Sequence, residues 1–202
     1  MARRRLVLAC LLAAVGCGPR EAPPPATPAT LADVAEAFDT CRDGDLDAGL
    51  GTLDGVLERS PRDPDALVAR GLCRWARWSG SGARRDIRDA YRDLSEAIAS
   101  VDDGAQPGTP LDQIYSHRAF VAQALDDGWT RALADLDRAV ALDPADPTHA
   151  LDRGVVHAYA GDTVAARADL GRFLDLADSA DVDRQRVAEA LLADLAPPLP
   201  AR

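Results

Sequence analysis

The residues best suited to chemistry in this chain are its aspartates. Asp43-Gly44-Asp45-Leu46-Asp47, with Asp54 at the twelfth position of the same stretch, sets oxygen ligands at alternate positions, as a loop that wraps calcium does. Two features work against it: the sixth position, which needs glycine, is Ala48, and the bidentate glutamate is replaced by the shorter Asp54. His117, His149 and His157 are isolated, without cysteine or carboxylate at a tight metal-binding spacing. The pairs Asp102-Asp103 and Asp126-Asp127 fall in turns or on polar faces. Paired carboxylates serve acid–base chemistry only in a pocket that shifts their pKa values, and nothing in the sequence predicts one. Ser79-Gly80-Ser81-Gly82 lacks the spacing of a phosphate-binding loop, and no nucleophile elbow or zinc-protease helix occurs. The sequence therefore predicts no catalytic set, no metal and no cofactor.

The elements that carry these residues repeat. Arg70-Gly71 with Asp93-Leu94, Arg118-Ala119 with Asp135-Leu136, and Arg153-Gly154 with Asp169-Leu170 are three copies of one pattern. Recurrence at roughly 34 residues means a helix-turn-helix unit stacked on itself. The last copy is the cleanest. Pro147 opens a helix through about Gly161, Gly161-Asp162 turns the chain, and a second helix runs from about Val164 to Ala177. The recurring Arg and Asp sit on facing helices of one unit. As a half-exposed pair they are expected to contribute about 0.2–1 kcal/mol.

The small residues Gly154 and Ala166, the bulky Leu170 and the recurring prolines resemble the tetratricopeptide repeat, whose unit is about 34 residues. Laid on that template, residues 30–180 hold four repeats, at about 30–63, 64–103, 111–146 and 147–178. The first is the weakest match, because Asp33 and Thr40 stand where the family carries bulky residues. The resemblance implies an all-α, right-handed superhelical solenoid. The segment 181–202 is expected to supply a capping helix, with Val182, Val187, Leu191, Leu192 and Leu195 as its apolar stripe, and a proline-rich tail. Two insertions depart from the template, Trp78 to Arg84 inside the second repeat and Asp103 to Pro110 before the third. Both are expected as loops, often on the functional side of such arrays.

Arg3-Arg4-Arg5 and the apolar run Leu6 to Val15 read as an export signal over residues 1–16, too short to stay as a spanning helix. Its end, Ala14-Val15-Gly16-Cys17, resembles a bacterial lipoprotein processing box, although Ala14 stands where leucine is preferred. The resemblance implies an acylated Cys17 followed by a proline-rich tether over 17–29, in the cell envelope. More than one acyl chain gives stable anchoring. Gly18 after the cysteine points to the outer membrane, with the protein facing the periplasm.

The formal charge is −10, and removing Arg3, Arg4 and Arg5 takes it to about −13. That excludes a nucleic-acid groove and broad adhesion to anionic lipid. The chain has no lysine and no asparagine, so it cannot build the lysine–asparagine carboxylate clamp of some tetratricopeptide domains. Cys41 and Cys73 lie on the first helices of neighbouring repeats, where stacked positions commonly exceed the roughly 7 Å Cα limit for a bridge. The main expectation is two buried small hydrophobes, with a disulfide, which an exported location permits, as the alternative.

Tetratricopeptide domains bind partners on the face lined by their first helices. That resemblance places a groove at Val34 and Phe38; at Val68, Leu72 and Trp75; at Ser116, Phe120 and Gln123; and at Leu151, Val155 and Tyr159. It is apolar and aromatic, suited to a helix or extended peptide of a partner protein. A second candidate is a basic patch of Arg74, Arg77, Arg84, Arg85, Arg88 and Arg92. The expected role is an envelope-anchored, protein-binding adaptor or assembly scaffold, as a monomer or within a hetero-complex. The alternatives are a structural subunit of a larger outer-membrane complex without a free groove, and, more weakly, a calcium- or ligand-binding module.

Overall fold

A computed structural model describes residues 31–195, which hold nine helices and no strand. The signal, Cys17, the tether and the tail lie outside the described residues. The helices are α1 (Leu31–Arg42), α2 (Leu46–Arg59), α3 (Pro64–Ser81), α4 (Arg84–Asp102), α5 (Leu111–Ala122), α6 (Gly128–Leu142), α7 (Pro147–Ala160), α8 (Thr163–Leu176) and α9 (Val182–Asp194). Aspartate starts many of them. The carboxylates of Asp45, Asp63, Asp146 and Asp162 accept from the first-turn N–H groups of α2, α3, α7 and α8, satisfying donors that a helix start leaves orphaned. Pro64 and Pro147 occupy the first turns of α3 and α7, where no N–H is missed.

Each helix packs chiefly on its neighbours in sequence, and α1 also packs directly on α3. The chain is a solenoid of four helix pairs closed by α9. Leu53, Leu94, Leu136 and Leu170 stand one per pair at its centre, at most 1% exposed. Small residues on the facing helix make room for them: a Cβ added at Gly71 would meet Leu94 Cγ at 3.1 Å, and one at Gly154 would meet Leu170 Cγ at 3.0 Å.

The recurring arginines tie three helices each. Arg70, Arg118 and Arg153 present Nε and Nη2 to both oxygens of Asp93, Asp135 and Asp169, at 2.6–3.0 Å, within their own helix pairs. The remaining Nη1 reaches back to the preceding pair: to Asp54 at 2.8 Å, to Ser95 at 3.3 Å and to Asp137 at 2.8 Å. This differs from the half-exposed pair expected from sequence, since Asp93 is fully buried and also accepts from Arg74 Nη1 at 2.6 Å. The surface-pair magnitude therefore does not apply to it.

Three further expectations change. The insertion Trp78 to Arg84 is not a loop; α3 runs on to Ser81 and α4 starts at Arg84, so both helices grow. Gly82, in the left-handed region at φ +69°, makes the reversal that a side chain would resist. The extension is held by Arg77, bidentate to Asp86 and also bonded to Asp47 of α2. Cys41 and Cys73 form a disulfide with Cα atoms 5.9 Å apart, inside the range a bridge requires. Counted from the small residues Ala37 and Gly71, they sit four and two positions on, so they are not equivalent sites and the offset brings their side chains together. In α9, Leu191, Leu192 and Leu195 pack inward around a fully buried Ala188, while Val182 and Val187 stay exposed.

Asp93→Ala should strand Arg74, leave Arg70 with Asp54 alone and lower unfolding free energy by about 3–5 kcal/mol in urea titration. Asp39→Ala, which breaks the exposed pair with Arg42, should cost no more than about 1 kcal/mol. Reducing the Cys41–Cys73 bridge, which closes a loop of 32 residues, should lower stability by about 3 kcal/mol, read as a lower midpoint in reductant.

Candidate functional site

The odd-numbered helices line one face, and on it three cavities run end to end. The first, about 400 Å³, lies between α1 and α3 and is walled by Leu31, Val34, Phe38, Val68 and Leu72. The second, about 280 Å³, shares Phe38 and Leu72 with it, continues past Trp75, His117 and Phe120, and has the Cys41–Cys73 bridge in its lining. The third, about 150 Å³, shares Phe120 and continues along Ser116, Gln123, Leu151, Asp152 and Val155 to Val187 of α9. The groove thus crosses every repeat. Phe120 divides it, half exposed and braced against Trp75 with ring centroids 4.8 Å apart.

The insertion Asp103 to Pro110 does form a loop, and it ends in this groove. The carboxylate of Asp65 on α3 accepts from Gly108 N–H at 2.7 Å and Thr109 N–H at 2.8 Å. Those two residues join the lining of the first cavity.

The groove residues expected from sequence have unequal fates. Phe38, Leu72, Trp75, Ser116, Gln123 and Val155 are half-buried along the lining, and Phe120 is open to solvent. Val68 and Leu151 touch the groove only with a residual edge, being buried core. Tyr159 lines none of these cavities. It is 70% exposed and stacks on Trp129 of α6 with ring centroids 5.6 Å apart.

The six arginines do not act as one patch. Arg74 and Arg77 are committed to Asp93 and Asp86. On the exposed side Arg85 and Arg92 both pair with Asp89, and Arg84 faces Asp126 at 3.8 Å. Arg88 is exposed beside Arg84. The calcium loop is likewise dispersed: Asp45 caps α2, Asp47 faces Arg77 and Asp54 faces Arg70.

Two groove residues escaped the sequence reading. Asp152 lies among Leu151, Val155 and Val187 and accepts no hydrogen bond among the described residues. Burial pushes its carboxyl above the ordinary range, opposed by His149 and Arg184 and assisted by Asp146. The available signal was its position three residues before Val155, on the same helix face. His117 lines the first two cavities, and burial holds its imidazole below the usual value. A third feature was invisible in sequence: Asp112, Asp146 and His149 converge from α5 and α7 into one cluster.

With this geometry in view, residues 120–192 match the tetratricopeptide repeat family. Among solved structures, YrrB, described as a TPR protein with an unusual peptide-binding site, aligns at TM-score 0.59 and 18% identity, over 81% of this chain and 76% of that one. The fold is a tetratricopeptide solenoid. A tetratricopeptide repeat protein from Parabacteroides merdae aligns at TM-score 0.61 and 18% identity, over 81% of this chain and 59% of that one. A chain of the APC/C hetero-tetramer Cut9-Hcn1 gives 0.68 at 15% identity, over 83% of this chain and 30% of that one. No curated protein sequence matches. The cavities lie along the first helix of each helix pair.

The pKa values of these two half-buried groups move in opposite directions. The folded pKa of Asp152 is raised, so its charge penalty is absent below the unfolded value of about 3.8 and complete above the raised one. Asp152→Asn should therefore raise the unfolding midpoint at neutral pH, with the gain vanishing in acid. The folded pKa of His117 is lowered, so stability is lost as pH falls below about 6.5. His117→Leu should remove that part of the acid sensitivity in thermal melts at pH 5 and 7.

Proposed function

We propose that this chain is a protein-binding adaptor that takes an apolar segment of a partner into the groove, with a basic residue of that segment meeting Asp152. The observation that carries the reading is the half-buried carboxylate of Asp152, which has no hydrogen-bond partner among the described residues and lies in the mainly apolar lining of the third cavity. A buried charge costs stability unless something pairs with it, and a lysine or arginine on an entering segment would do so in a low-dielectric setting. Phe120 supplies the hydrophobic anchor, since its exposed ring is already held by Trp75 and loses little freedom on binding. The peptide-binding site named for YrrB supports the reading by analogy.

The place of action follows from the sequence. Cys17 after Leu6 to Val15 supports an acylated protein tethered at the bacterial outer membrane, facing the periplasm. None of the helices among the described residues is long and apolar enough to cross a membrane. The Cys41–Cys73 bridge is consistent with an exported, oxidising setting.

A second reading, a structural subunit that packs through its outside edge, is favoured by the stacked Trp129–Tyr159 pair, which is exposed and outside the groove. The two readings separate in one experiment. The full-length protein and its Phe120→Ala, Asp152→Asn and Tyr159→Ala variants are used to capture partners from the envelope fraction, with helicity checked for each. Groove binding predicts that Phe120→Ala weakens the partner at least about tenfold and that Asp152→Asn weakens it too, with Tyr159→Ala neutral. The reverse pattern moves the contact to the aromatic edge.

A further inference from the structure

We propose that Asp112, Asp146 and His149 form a binding site for a divalent transition-metal cation of the zinc class, which fastens the third repeat to the fourth. His149 is only 2% exposed, and its Nε2 stands 3.0 Å from Asp112 Oδ2 and 3.7 Å from Asp146 Oδ2. The three donor atoms all lie within 4.8 Å of one another. A cation with bonds of about 2.0–2.2 Å to nitrogen and oxygen fits among them.

Two of the atoms that would not ligate are already occupied. Ser116 Oγ is 2.9 Å from His149 Nδ1, which fixes the ring and leaves Nε2 directed at the carboxylates. Asp146 Oδ1 accepts from Thr148 N–H at 2.8 Å, which leaves Oδ2 for the cluster. Metal-bound imidazoles and carboxylates are oriented by such outer hydrogen bonds. One imidazole and two carboxylates suit zinc and its neighbours over thiophilic ions, and three protein ligands leave a fourth position for water.

The charge around the cluster points the same way. Two carboxylates face the imidazole directly, and Asp152, three residues on from His149, adds a third acidic group whose ionisation both His149 and Asp146 influence. A cation on this side, Arg184, donates to Thr148 Oγ1 at 3.2 Å and is exposed to solvent. A negative excess remains for a divalent ion to neutralise. Asp112 sits in the first turn of α5 while Asp146 and His149 open α7, so the ion would bridge consecutive repeats. The competing arrangement is an imidazolium held between the two carboxylates, which needs no metal.

The test uses the untagged full chain, stripped with chelator, titrated with zinc chloride by calorimetry and followed by thermal melting. Calcium and magnesium chloride serve as hard-cation comparisons. The expected result is one zinc per chain and a melting temperature raised by about 5–10 °C at hundredfold excess over Kd. His149→Gln and Asp112→Asn should each lose both the heat and the shift with helicity unchanged, whereas His117→Gln should keep both. If His149→Gln does not fold, Asp112→Asn decides. Absence of zinc heat in the wild type, or its persistence in Asp112→Asn, overturns the proposal.

Discussion

Everything in this solenoid depends on keeping a buried carboxylate paired. Asp93, Asp135 and Asp169 lie where two helices of a repeat meet, and an ionised aspartate there would cost several kcal/mol without a partner. Arginine answers it with a planar fork that meets both oxygens and keeps one more donor for the preceding repeat. The same residue therefore closes its own helix pair and sets the step to the next. Hydrophobic contact between Leu94 and Gly71, or Leu170 and Gly154, supplies attraction without direction. The Arg–Asp rung supplies the register.

The pattern is not uniform. Aligned on Ala37 and Leu53, the first described repeat has Glu36 where the others carry the arginine and Thr52 where they carry the aspartate, so that repeat has no such rung. A covalent bond replaces it, since the Cys41–Cys73 bridge holds α1 to α3. At the other end α9 closes the core with Ala188, Leu191 and Leu192 rather than with an ion pair.

The groove departs from the rules that the core obeys. Among the described residues the core pairs every buried acid; the groove leaves Asp152 without a hydrogen-bond partner and Phe120 half exposed. The two insertions divide between these regimes. One lengthened α3 and α4 and acquired its own rung, Arg77 with Asp86 and Asp47. The other became the loop that Asp65 holds at the end of the first cavity, where it changes the shape of the binding face and leaves the helix packing alone.

The repeat, its helix pairs, and the facing positions of Arg and Asp were legible in the sequence, because helix periodicity, aspartate caps, Gly161 and the prolines are local signals that stacking reinforces. Most of the groove followed from the same register, Phe38, Leu72, Trp75, Phe120 and Val155 among it. What the tertiary structure alone decided were relations between repeats. Whether Cys41 reaches Cys73 depends on how α1 leans on α3. Whether Tyr159 faces the groove or Trp129 depends on how α7 packs on α6. Whether Ser79 to Gly82 opens a loop depends on whether α4 is there to pack against a longer α3. Asp112, Asp146 and His149 are unremarkable in order along the chain and become one cluster only when two helices a repeat apart are laid side by side. Local pattern sets what each segment is, and packing sets which segments meet.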